Sequence, residues 1–116
     1  MAGEILLALS TFPDRETARR IARELVTEHL AACANIVPQI ESIYFWKGKL
    51  ETSEECLAIF KLPAAVYEKF QAKLRALHPY DVPEIISFRL SDGLPEYLRW
   101  VGDSCGESSA ELLDRH

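Results

Sequence analysis

The chain has 116 residues, 13 basic and 18 acidic, for a formal charge of −5 at neutral pH. That length suits one domain and buries about 65% of its unfolded surface, enough for a core without disulfide staples. Hydrophobic residues at 48% and charged residues at 27% exclude a disordered chain, and the acidic balance excludes attraction to nucleic acid or an anionic membrane through overall charge.

Ile5-Leu6-Leu7-Ala8-Leu9 is a short continuous apolar run and predicts a strand buried on both faces. Ser10 to Asp14 is turn-forming, and Asp14 is placed to cap a helix. In that helix Ala18, Ile21, Ala22, Leu25 and Val26 form the apolar stripe, with an end near His29 or Leu30. Ala32 to Trp46 reads as a second strand. Its inward parity changes between Ile36/Ile40 and Ile43/Phe45, with Pro38 between, which predicts a bulge or bend. Lys47-Gly48-Lys49 is a tight turn with Gly48 suited to positive φ. Leu50 to Leu62 returns as the third strand. A second helix is expected from about Pro63 to Leu77, its stripe formed by Val66, Tyr67, Phe70, Leu74 and Leu77. His78-Pro79-Tyr80-Asp81-Val82-Pro83 cannot continue it, because each proline holds its predecessor extended. Glu84 to Leu90 reads as a fourth strand. Pro95 opens a short helix to Val101, and residues 102–116 read as a tail with Cys105 exposed.

The order is β-α-β-β-α-β plus a terminal helix. It predicts an α+β, ferredoxin-like domain over residues 1–101, with a four-stranded antiparallel sheet carrying two helices on one face. The face left open should then read polar, yet Leu57 and Ile59 oppose Cys56, Ala58, Phe60 and Leu62, and Ile5, Leu7 and Leu9 oppose Leu6 and Ala8. A homo-oligomer that buries this face is expected, as is a long, bent hairpin overhanging the sheet. Three cysteines, Cys33, Cys56 and Cys105, form no CxxC pair and point to a reducing cytoplasm. Met-Ala-Gly-Glu does not read as a signal peptide, and no run of eighteen apolar residues predicts a membrane span.

The segment His78 to Glu84 holds the densest set of functional side chains. Imidazole with nearby carboxylates can ligate copper or zinc or act as a general base, and two prolines hold His78, Tyr80, Asp81 and Glu84 with little entropy to lose. The competing reading is that the prolines only end a helix and Tyr80 packs. Cys33 and Cys56 read as small buried hydrophobes, and Glu51, Glu54 and Glu55 as solvated protection of a strand end. Lys61 follows an apolar run, so it must pair with a carboxylate or an anionic ligand, or reach water at the strand end. No phosphate loop, catalytic triad or RNA-stacking pattern is present, and the chain is expected not to be an enzyme.

Four segments together resemble the CutA1 family of divalent-cation tolerance proteins: Leu30 to Pro38, Ser42 to Lys49, Leu77 to Glu84, and Pro95 to Trp100. The resemblance spans Ile5 to Val101. It implies a homotrimer similar in architecture to the PII signalling proteins, with sheets packed inward, and a part in the response to copper and other divalent metals without catalysis and without a required cofactor. It also implies ligand clefts between subunits, for which Lys61, His78, Tyr80 and Glu84 are the candidates, His78 being the metal candidate. Copper binding in the family goes with a cysteine before the Thr-x-Pro-Asp turn and a His-His pair before Pro-Tyr; this chain has Ser10 and Leu77 there. Two rival functions stand beside this one: a PII-like sensor taking a small anion near Lys61, and a hydrolase using His78 as base with Glu84.

Overall fold

Eight residues after Glu4 form β1 (Ile5–Phe12), the central strand onto which the rest of the chain is built. The computed structural model describes residues 3–106. Asp14 caps α1 (Arg15–Thr27) by accepting the Thr17 amide at 2.7 Å, which also holds the Asp14 carboxyl below its ordinary pKa. The helix ends where His29 adopts φ +60°, with the Leu30 amide on the Leu25 carbonyl and the His29 amide on the Val26 carbonyl, both at 3.0 Å. That is the paired-carbonyl ending usually built around glycine.

β2 (Cys33–Trp46) and β3 (Lys49–Pro63) form the long hairpin. The expected register break falls between Val37 and Ile40, where Pro38 and Gln39 oppose Cys56 alone. Lys47 and Gly48, with φ of +51° and +80°, make the two-residue turn whose twist matches the strands. β1 pairs with β3 only over Cys56–Pro63, so the outer half of the hairpin projects beyond the sheet and the molecule measures 51 × 29 × 22 Å.

A turn of 3-10 helix at Ala64–Val66 precedes α2 (Tyr67–Leu77), which begins later than the Pro63 start expected. β4 is shortened to Ile86–Arg89, because Pro83 and the bends before it leave fewer residues able to pair with β1. α3 (Pro95–Asp103) runs past the predicted boundary at Gly102, and Cys105 is buried rather than exposed. The amide of Gly106 bonds the His29 carbonyl at 3.0 Å and so ties the end of α3 to the end of α1. The rest of the expected tail, 107–116, lies outside the described residues.

The sheet order is β2-β3-β1-β4, all antiparallel. Leu6, Ala8 and Phe12 face the helices beside Leu62, Phe60 and Cys56, and meet Ile21, Leu25, Phe70 and Leu74 in one core. Phe60 and Phe70 pack edge to face at 5.1 Å. Each such fully buried Leu or Phe contributes about 1.5–3 kcal/mol. The opposite face carries Leu7, Leu9, Leu57 and Ile59, with Ile86 and Phe88 of β4 still 50% and 51% exposed. Apolar residues on both faces are therefore real, and within one chain the second set is incompletely covered.

Candidate functional site

α2 stops at Leu77 because Pro79 forces His78 into extended backbone, with φ −72° and ψ 135°. That turn drives the His78 side chain inward, to 7% exposure, against the end of β1. Its ring stacks on Phe12 at 4.7 Å and touches Tyr80 at 4.8 Å. His78 Nε2 lies 2.8 Å from the Thr11 carbonyl oxygen, and Nδ1 lies 3.2 Å from the Tyr80 amide nitrogen. A carbonyl only accepts and an amide N–H only donates, so Nε2 carries the proton and Nδ1 accepts. Burial pushes the His78 pKa down, opposed by the Thr11 carbonyl and by Glu55. The ring is neutral, with both nitrogens engaged.

Tyr80, fixed by that amide bond, donates its hydroxyl proton to Glu55 Oε2 at 2.7 Å. Burial, and then the Glu55 carboxylate, push the Tyr80 phenol well above its ordinary pKa. The loop, the end of β1 and the overhanging half of the hairpin enclose an open groove of about 730 Å³. Tyr44, Trp46, Glu55, Tyr80, Asp81 and Glu84 give it its character, and no lysine or arginine lines it. An aromatic and acidic wall favours a cation and opposes an anion.

Three of the four candidates therefore come together: Tyr80 and Glu84 line the groove and His78 stands behind Tyr80. Lys61 stands apart, pairing opposite Leu7 towards the other end of β1, with Nζ donating to Asn35 Oδ1 at 2.7 Å. Its neighbour is a neutral amide reached across the strands, which strand parity alone does not reveal. Glu55, read from sequence as solvated edge protection, is instead the acceptor that anchors Tyr80. The two lie 25 residues apart, and no local pattern joins them. Cys33 is half-buried with Sγ 3.6 Å from the Tyr97 hydroxyl, and Cys56 is fully buried.

The fit to a metal can be tested on these atoms. A ligating imidazole needs a free nitrogen lone pair, and the Nδ1 lone pair of His78 is taken by the Tyr80 amide. Among the described residues no three His, Cys, Asp or Glu side chains are grouped to hold a metal ion. Ser10, at the position where the resemblance asks for cysteine, is fully buried, and its hydroxyl has no hydrogen-bond partner among the described residues. A His78-centred copper site does not fit this arrangement, and the same bonds remove His78 as a free general base. No helix among the described residues is long and apolar enough to cross a membrane.

Comparison with known proteins gives a consistent result. The family model described as CutA1 divalent ion tolerance protein matches residues 6–104. A CutA homolog from Xenopus laevis is 45% identical over 103 residues, covering 89% of this chain and 68% of that protein. The divalent-cation tolerance protein CutA of Thermus thermophilus is 43% identical over 100 residues, covering 86% and 97% of the two chains. Among solved structures, CutA1 from Oryza sativa superposes with a TM-score of 0.87 at 38% identity, over 90% of this chain and 96% of that one. CutA1 from Thermus thermophilus gives 0.86 at 42% identity, over 88% and 99%.

Proposed function

The chain belongs to the CutA1 family of divalent ion tolerance proteins, and from that premise we propose that it serves this tolerance as a homotrimer without catalytic activity. The observation that carries the assembly is the second face of the sheet. Leu7, Leu9, Leu57, Ile59, Ile86 and Phe88 form an apolar surface that neither α1 nor α2 reaches, and a patch of that kind marks an association surface. Three copies is the number implied by the resemblance to CutA1 and to the PII architecture.

Divalent cations, in this reading, meet the assembled protein at the exposed carboxylates of the groove beside Tyr80. Carboxylate oxygens suit hard cations, whereas a soft copper site calls for thiolate or imidazole. The acidic lining supports this reading over an anion sensor, and the separation of Lys61 from the groove supports it further. Free Cys33, Cys56 and Cys105 suit a reducing cytoplasm. The assembly is tested at Phe88. Phe88→Glu places a carboxylate on the face that the subunits share. The expected outcome is a folded single chain by light scattering and circular dichroism, and an undiminished assembly would contradict it.

A further inference from the structure

We infer that the arginines on the outward side of α1 form a binding site for a compact oligophosphate, a short chain of linked phosphates that is either inorganic or carried on a nucleotide. Four of the chain's eight arginines, Arg15, Arg19, Arg20 and Arg23, fall within nine residues of α1, and all four side chains are exposed. Arg15, Arg19 and Arg23 recur every fourth residue and so share one stripe, with Arg20 beside it. Among the described residues none of the four forms an ion pair; the acids further along the helix, Glu24 and Glu28, are held by Lys73 at 3.5 and 3.4 Å. Folding alone gives no reason for this placement. Like charges four residues apart repel, and cations suit the last turn of a helix rather than the first. α1 has the reverse: Arg15 opens it, and no basic residue stands in its last turn. A multivalent anion on the stripe relieves both conflicts, and local rules broken in this way mark functional positions.

The same four arginines, with Glu16, line an open hollow of about 660 Å³. Glu16 is the one carboxylate of that lining, so the hollow stays positive on a chain of net charge −5. Asp14 accepts the Thr17 amide and caps the start of the helix, which leaves the side chains of the stripe to hold the ligand. Guanidinium forks meet phosphate oxygens through paired, charge-assisted hydrogen bonds, and linked phosphates present several such oxygens close together. The stripe from Arg15 to Arg23 spans about 12 Å, enough for a short phosphate chain. Nucleic acid fits less well, because the molecule as a whole carries the wrong sign for a long polyanion. An acidic peptide also fits less well, because no aromatic or aliphatic side chain lines the hollow to anchor one. The site is separate from the assembly face, since α1 packs through Ala18, Ile21 and Leu25 on the side of the sheet opposite Leu7 and Leu9. It also shares no residue with the acidic groove beside Tyr80.

The test is calorimetric titration of the full chain with inorganic tripolyphosphate, ATP, AMP and orthophosphate in magnesium-free buffer. Tripolyphosphate and ATP are expected to bind, with affinity falling as salt rises, and AMP and orthophosphate to bind at least about tenfold more weakly, because they offer fewer charge-assisted hydrogen bonds. ATP binding more tightly than tripolyphosphate would assign the ligand to nucleotides, and the opposite order to inorganic chains; either sustains the site. Arg19→Gln/Arg23→Gln should lose at least about tenfold in affinity with unchanged melting temperature and oligomeric mass. Glu16→Gln, which removes the opposing carboxylate, should bind severalfold more tightly. Lys69→Gln/Arg75→Gln removes the same charge from exposed positions of α2 and should bind as the parent does. Orthophosphate matching tripolyphosphate would overturn the inference, as would unaltered affinity in the α1 double variant or an equal loss in the α2 one. Tighter binding of a single-stranded oligonucleotide than of tripolyphosphate would overturn it too.

Discussion

His78 shows how one residue type supports two opposite readings. Its sequence neighbours, two prolines, a tyrosine and two carboxylates, resemble a ligand set, and only the direction of the side chain decides between that and a packing role. Pro79 turns it inward onto Phe12, where Nε2–H and Nδ1 bind main-chain groups of β1 and of the loop. Its replacement by alanine should therefore leave Cu²⁺ and Zn²⁺ titration curves unchanged while lowering stability by about 2–4 kcal/mol in chemical denaturation. Weakened metal binding with intact stability would reverse the assignment. The buried imidazole has a folded pKa below its ordinary value of 6.5, so the unfolded chain takes up the proton first as pH falls. This contribution to stability is whole above that value and is lost as pH drops through it towards the folded pKa. His78→Gln, which does not titrate, should flatten that part of the curve as pH falls below the ordinary histidine value of 6.5. Ser10 is the complementary case, a buried hydroxyl with no hydrogen-bond partner among the described residues. Ser10→Ala should leave stability unchanged or raise it by about 1 kcal/mol, and a loss of that size would mean the hydroxyl is satisfied.

At the scale of elements, periodicity and breakers carried most of the information. The Asp14 cap, the stripe of α1, the bulge at Pro38 and the Lys47-Gly48 turn are all local features, and each appears where local chemistry places it. What local reasoning missed was long-range. Lys61 meets Asn35 across the sheet, and Tyr80 meets Glu55 from a loop, contacts set by register rather than by neighbours in the chain. The end of α3 was legible in part: Leu94, Leu98, Val101 and Cys105 keep helical spacing through Gly102, although glycine there reads as a stop. Gly48 offers a clean check on the hairpin. A Cβ there meets nothing within 4 Å, so any penalty arises from the backbone at φ +80°. Gly48→Ala should cost about 1 kcal/mol in thermal or chemical denaturation, and a neutral result would mean that the turn does not hold this conformation.

For the whole molecule, the 48% hydrophobic content is ordinary in amount, but it lies on both faces of one thin sheet that the described helices cover on one side only. One face of the sheet closes over a single core, and the other presents apolar side chains at β1, β3 and β4, with an aromatic hairpin extending past them, Phe45 being 75% exposed. The proposed association would add stability to a chain that already closes one core of its own, so the melting temperature should rise with protein concentration. The central claim is that three chains bury this face together. Light scattering of the purified protein at micromolar concentration tests it most directly. A mass three times the 13.1 kDa of one chain is the predicted result, and a mass of one chain at that concentration would contradict it.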